Sequence, residues 1–176
     1  MSVDITLTAR GGGNEVGGSC YDYLFDGELV RIDCGMRPSN FNSDVRPVKI
    51  KDRELAAFLD EMLVKPEVNP LPNWDAVSEL KHLFLTHAHL DHVLAVPYAL
   101  KKHRYTTIYA TPVTAKICKI QWFSTPKIAE RKKEVPLFNE SDAEFAISRI
   151  QLIYPGQRIR VNDKLEVEPV EAGHLL

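Results

Sequence analysis

Cysteine is scarce in this chain of 176 residues, with only Cys20, Cys34 and Cys118. The number is odd, the spacings are wide and no Cys-x-x-Cys pair occurs. A disulfide framework and a zinc knuckle are therefore not expected, and reduced thiols filling small core spaces are. Long apolar runs are missing too. No stretch is long enough to cross a bilayer, and the opening Met1-Ser2-Val3-Asp4-Ile5-Thr6-Leu7 alternates like a strand, without the charged and apolar regions of a signal peptide. The expectation is no membrane partner and a cytoplasmic location. Neither sign of charge dominates: 22 Lys and Arg against 24 Asp and Glu leave a formal net charge of -2. Internal repeats and low-complexity tracts are absent as well. A 44% hydrophobic content is enough for one sizeable core in a single domain.

A nucleotide-binding glycine pattern is also lacking, although glycines cluster at Gly11-Gly12-Gly13 and Gly17-Gly18. Gly-x-Gly-x-x-Gly is not met because Val16 stands where the last glycine belongs, and no Gly-Lys follows. The next segment reads as a strand, so no helix N-terminus is offered to a phosphate. The cluster is better read as a tight loop that lets two pieces of backbone approach closely.

What the chain does have is His87-Ala88-His89-Leu90-Asp91-His92, which concentrates three of its six histidines with a carboxylate. Lys81 to Thr86 reads as a buried strand and Asp91 to His103 as a helix, so the cluster lies at a strand-to-helix junction. There the side-chain period changes from two to 3.6, and four ligands can be splayed toward one point. Neutral imidazoles with a carboxylate suit zinc, iron or manganese, and two or more such ions suit hydrolysis. The blander reading, solvated histidines at a helix start with Asp91 as its first-turn acid, leaves four polar residues between two apolar elements with little to do.

Elsewhere, Val3 to Ala9, Tyr21 to Phe25 and Leu29 to Asp33 read as strands, the last two joined by a turn at Asp26-Gly27. Asp52 to Leu63 has a helical pattern, and Pro66, Pro70 and Pro72 mark a loop. Thr107 to Ala110 reads as a strand and Thr114 to Phe123 as a helix. Ser141 to Ser148 reads as a helix with a capping box between Ser141 and Glu144. Ile150 to Tyr154, Arg158 to Val161 and Leu165 to Ala172 complete the strands. The alternation predicts a layered α/β sandwich. Between Lys101 and Lys133, nine basic residues face the single acid Glu130, with Tyr105, Tyr109, Trp122 and Phe123 among them. That mixture suits phosphate contacts with base stacking, and equally a solvated helix face.

The motif His-x-His-x-Asp-His after a short apolar strand resembles the signature of the metallo-β-lactamase fold. Two further motifs agree in order. Gly11-Gly12-Gly13-Asn14-Glu15-Val16-Gly17-Gly18-Ser19-Cys20 followed by Ile32-Asp33-Cys34-Gly35 is similar to the opening of the β-CASP branch, the nucleases of RNA maturation and decay. Val170-Glu171-Ala172-Gly173-His174-Leu175-Leu176 resembles that branch's next motif. The resemblance implies an αββα sandwich of which residues 1–176 are the N-terminal part, ending before the β-CASP cap insertion. It implies two zinc ions per complete site, one held by His87, His89 and His174 and one by Asp91 and His92. Asp91 would also be catalytic, accepting a hydrogen bond from the attacking water. Asp33, otherwise a turn or cap aspartate, would hold a ligand imidazole in the correct tautomer. The implied function is that of a zinc-dependent phosphodiesterase or ribonuclease with RNA as partner, weakly active at most as this piece, and the reading leaves room for a homo-oligomer. Two alternatives stand beside it: a hydrolase of small esters, thioesters or lactams, and a non-catalytic binding fragment. The chain departs from the pattern at Leu94, where relatives usually carry glycine, and in a long stretch from Met36 to Leu80 that matches no motif. His82 and His103 match none either and read as ordinary histidines.

Overall fold

The computed structural model describes residues 4–14, 17–37 and 71–174. The helix expected at Asp52 to Leu63 and the prolines Pro66 and Pro70 lie outside the described residues. Six strands form one mixed sheet in chain order: β1 (Ile5–Gly11), β2 (Cys20–Phe25), β3 (Glu28–Ile32), β4 (His82–Phe84), β5 (Thr107–Ala110) and β6 (Ile150–Leu152). The first three run antiparallel, and β3, β4, β5 and β6 pair in parallel. Asp26 and Gly27 both take positive φ, 45° and 86°, and make the tight hairpin between β2 and β3. A two-stranded antiparallel ribbon follows, β7 (Ile159–Arg160) and β8 (Glu166–Val167).

Alternation along the strands separates two cores. Leu83, Ile108 and Ala110 point to the helical side, where they pack with Val93, Leu100, Cys118, Trp122 and Phe138. Val30, Phe84 and Tyr109 point to the other face, covered by Ile153, Ile159 and the ribbon residues Val161, Leu165 and Val167. Away from the ribbon that second face stays open: Ile5 and Leu7 are each 57% exposed. The molecule is thus an α/β layer with a partial second sheet, as the sandwich reading expects.

Three expected helices differ in extent. Asp91 to His103 is not one helix but two single turns, α1 (Leu90–Val93) and α2 (Val96–Ala99). Pro97 is the cause: it has no N–H to give the Val93 carbonyl four residues back. The indole N–H of Trp122 takes that carbonyl instead, at 3.1 Å. Leu94, at the break, is buried in the core. The helix expected to end at Phe123 runs on as α3 (Pro112–Lys132), opened by Thr111 as N-cap and Pro112. It passes through Pro126, where the hydroxyls of Ser124 and Thr125 donate back to the carbonyls of Ile120 and Gln121. The last helix, α4 (Glu140–Ser148), begins one residue early. Its capping box joins Asn139 to Asp142, both bonds at 2.9 Å, rather than Ser141 to Glu144.

The sheet also buries an ion pair that no motif announces. Arg31, fully buried, donates to both carboxylate oxygens of Asp22 (2.7 and 3.0 Å) and to the carbonyl of Trp74 (2.8 Å). Each of its charged hydrogen bonds is satisfied, as burial of a guanidinium requires.

Candidate metal centre

Strand β3 ends at Ile32, and Asp33 turns the chain with φ 60°, a left-handed conformation that aspartate tolerates better than most residues. Its backbone N–H still bonds the Phe84 carbonyl of β4 at 2.9 Å. The carboxylate, 2% exposed, therefore stands over the end of β4 where the histidine cluster begins. One oxygen accepts the Thr86 N–H at 2.9 Å; the other accepts the Thr86 hydroxyl at 2.8 Å and Nδ1 of His92 at 2.7 Å.

This network assigns tautomers. The Thr86 hydroxyl has one proton and gives it to Asp33, so toward Nδ1 of His87, 2.9 Å away, it accepts. His87 and His92 then both carry the proton on Nδ1 and present a bare Nε2. Asp33 thus orders His92 directly and His87 through Thr86. Burial, reinforced by the neighbouring imidazoles, pushes His87 down to about 4, so its ring is neutral near pH 7. For His92 burial pulls downward, but the bond and charge of Asp33 outweigh it and raise the ring above its ordinary value.

The cluster backbone is held from the side by the segment after Asp33. Cys34 donates to the carbonyl of His92, Ser19 to that of Asp91, Gly35 to that of Ser19, and Ala95 to that of Cys34, at 2.8 to 3.0 Å. Only glycine fits at position 35: a Cβ there would run into the Asp91 carbonyl and the His92 nitrogen. The close backbone approach expected of the glycine loop occurs as well, since a Cβ on Gly11 would collide with the Gly18 carbonyl. From behind, Gln121 of α3 donates to the Ala88 carbonyl at 2.8 Å.

His87, His89 and His174 come together with one ligand nitrogen each, all within 4.8 Å of one another. Nε2 of His87 lies 2.9 Å from Nδ1 of His89, and the His174 ring centroid is 4.8 Å from that of His87 and 5.1 Å from that of His89. Three imidazoles converging from an exposed rim form a donor set that fits a divalent ion with an open fourth position. Asp91 and His92 lie alongside, with the Asp91 carboxylate 3.7 Å from Nε2 of His92 and the His87 and His92 rings 4.0 Å apart. These two do not join the three-histidine group, so among the described residues a second ion would find two protein donors here. Asp33 touches no ring of the three-histidine group itself except through Thr86.

Sequence reasoning missed three residues of the site. Thr86 precedes the first histidine and its hydroxyl could have been noticed. Ser19 and Gly35 fall within the motifs that carry the resemblance but had no role assigned there, since their roles come from contacts with a cluster more than fifty residues away. The basic stretch is also less available than it reads. Lys101 pairs with Asp142 at 3.1 Å, Lys127 with Glu140 at 3.2 Å, Lys102 donates to the Asp75 carbonyl, and Arg104 lies over Phe145. Trp122 is fully buried, and Tyr109 is buried against Phe84, so neither can stack on a base. Tyr105, 84% exposed, can. No described helix is long and apolar enough to cross a membrane.

Residues 75–171 match the metallo-beta-lactamase superfamily. Among curated proteins, the chain is 28% identical to an endoribonuclease, ysh1, of Schizosaccharomyces pombe, over 94% of this chain and 19% of that one. It is 28% identical to cleavage and polyadenylation specificity factor subunit 3-I of Arabidopsis thaliana, over 98% of this chain and 22% of that one. It is 29% identical to integrator complex subunit 11 of Danio rerio, over 98% and 26%. The chain therefore spans about a fifth to a quarter of the length of these relatives. A solved diphosphatase of the PhnP family superposes at a TM-score of 0.40 with 14% identity, over 91% of this chain and 54% of that one, a likeness too slight to bear on activity. Matched by the family model across more than half of its length and by these relatives nearly end to end, the chain belongs to the metallo-β-lactamase superfamily.

Proposed function

We propose that residues 1–176 form the N-terminal part of the metallo-β-lactamase domain of a zinc-dependent β-CASP ribonuclease, and that they supply most of its metal site. The observation that carries this reading is the convergence of His87, His89 and His174 beside Asp91 and His92. His87, His89 and His174 would hold one zinc and Asp91 and His92 a second, and the pair when bound would supply Lewis-acid charge and an acidified water for phosphodiester hydrolysis.

The chain's own residues prepare that chemistry. Asp33 and Thr86 hold the Nδ1 side of His87 and His92, and so leave Nε2 of each ring as the atom that would face an ion. Asp91, partly exposed and held through its carbonyl by Ser19, can accept a hydrogen bond from an attacking water. The exposed rim of His89 and His174 leaves the site open to a large substrate. RNA as that substrate is supported by the printed activity of the endoribonuclease relative.

The chain stripped of metal and titrated with zinc in a calorimeter should bind one equivalent, lost in His87→Ala and His89→Ala. A second ion should bind far more weakly because Asp91 and His92 are too few to close a site. Absence of zinc binding, or two tightly held ions, would overturn the assignment. In the longer nuclease proposed here, Asp91→Asn should abolish cleavage of single-stranded RNA without loss of folding.

A further inference from the structure

Helix α3 has an inner face of Thr114, Cys118, Trp122 and Pro126, which recur every four residues and are all buried. A surface helix packed this way should carry polar residues on its opposite side. This one carries Val113, Ile117, Ile120 and Ile128, exposed by 47%, 37%, 60% and 49%. Their spacing keeps them on one stripe, which at 1.5 Å per residue runs for about 22 Å down the middle of the solvent face. Lys116, Lys119 and Lys127 fall to one side of the stripe at 3.6 residues per turn, while Gln121 and Thr125 fall to the other. Among the described residues only Lys127 of these three has an acidic partner. The result is an apolar seam four turns long, interrupted by Ser124 between Ile120 and Ile128, with a basic border on one side.

We propose that this face docks an amphipathic helix of a partner protein, apolar along its seam and acidic along the flank that meets Lys116 and Lys119. Branched aliphatic side chains along a seam are what a second helix packs into, and one-sided charge sets its orientation. Nucleic acid fits less well. The stripe offers no aromatic platform, and its cations lie along one border and, with Arg131, at its C-terminal end rather than spread along a track of stacked rings. A second copy of this chain fits less well too: two such helices crossed antiparallel about a two-fold axis set basic border against basic border. The inner face of the same helix holds the metal loop through Gln121 on Ala88 and Trp122 on Val93, so an occupant of the outer face would stiffen the helix on which the histidine cluster rests.

The test uses a labelled helical peptide with leucine along its seam and glutamate along one flank, followed by fluorescence anisotropy on the whole chain. Binding should weaken at least about tenfold, or 1.4 kcal/mol, in Ile117→Gln/Ile120→Gln. In Lys116→Gln/Lys119→Gln it should weaken several-fold and lose most of its salt dependence. All four positions are exposed, and circular dichroism melts would verify that both variants fold. The same peptide with lysine in place of glutamate should not bind. Failure of the acidic peptide to bind, or equal binding of the lysine peptide, would overturn the proposal. So would oligo-uridine binding that falls with the lysine substitutions and ignores the isoleucines, which would make the face a nucleic-acid surface. Self-association in the ultracentrifuge that disappears in Ile117→Gln/Ile120→Gln would assign the face to a second copy. None of these readouts depends on bound metal or on catalysis.

Discussion

The two sides of the metal centre are held in different ways. Around His87 and His92, a buried carboxylate, a threonine hydroxyl and four backbone bonds fix each ring and the peptide that carries it. The His89 carbonyl accepts from the N–H groups of His92 and Val93 and its ring meets Nε2 of His87, but no carboxylate or hydroxyl orients the rings of His89 and His174 among the described residues. Both are exposed, and His174 follows β8 in a stretch without regular structure. One side is prearranged before any ion arrives; the other supplies a ligand at the end of an arm. Prearrangement lowers the entropic cost of binding and fixes ligand identity, while an exposed arm keeps access open.

The comparison is broken most severely at Gly35. Gly35→Ala should drive the two crossing backbones apart, costing on the order of 3–4 kcal/mol of stability and disordering the Asp91–His92 peptide. A denaturant melt checks this, and a loss below about 1 kcal/mol would show that the crossing relaxes freely. Next comes Asp33→Asn, which keeps the shape of the side chain but removes the charge that three donors share. Zinc affinity should fall roughly 10–100-fold, measured by competition with a chromophoric chelator. An unchanged affinity would mean that the tautomers are set without Asp33.

On the arm side, His174→Ala should weaken zinc binding yet leave the stability of the metal-free chain within about 0.5 kcal/mol of wild type, since an exposed residue in an irregular segment supports little. A larger loss without metal would place His174 in the folded framework rather than on an arm. The smallest effect expected is in the pH dependence of the metal-free chain. His103 is buried edge-on to Trp74, its Nε2 has no partner among the described residues, and burial, with help from Arg31 and Lys102, holds its ring below the ordinary value of 6.5. A depressed pKa means that the unfolded chain takes up the proton first, so stability is lost as pH falls below about 6.5. Melting temperatures at pH 7.5 and pH 5 should therefore differ, and His103→Phe should shrink the gap. His82 and His87 shift in the same direction and should preserve the rest of it, partly offset by His92.

Much of the architecture was legible before any coordinates. The hairpin at Asp26-Gly27, the strand Thr107–Ala110 and the α/β layering are local or periodic properties, and a short window of sequence encodes them. Helix extent was harder. Pro97 broke an expected helix and Pro126 did not break α3, although each leaves a carbonyl four residues back without its helical donor. For Val93 the donor is Trp122, twenty-nine residues away.

The same division runs through the site. Residue types and spacing in His87-Ala88-His89-Leu90-Asp91-His92 were enough to mark a metal cluster at a strand-to-helix junction, because ligand chemistry is written in the side chains themselves. Asp33 was singled out by the family resemblance, which did not say which ring it touches or that it reaches a second one through Thr86. Only the folded chain decided that Ser19, Cys34 and Gly35 clamp the peptide of Asp91 and His92, whereas the grouping of His174 with His87 and His89 was already implied by the resemblance. Those contacts join residues separated by more than fifty positions, and such pairs are chosen by sheet register and core packing, which no local stretch of sequence contains.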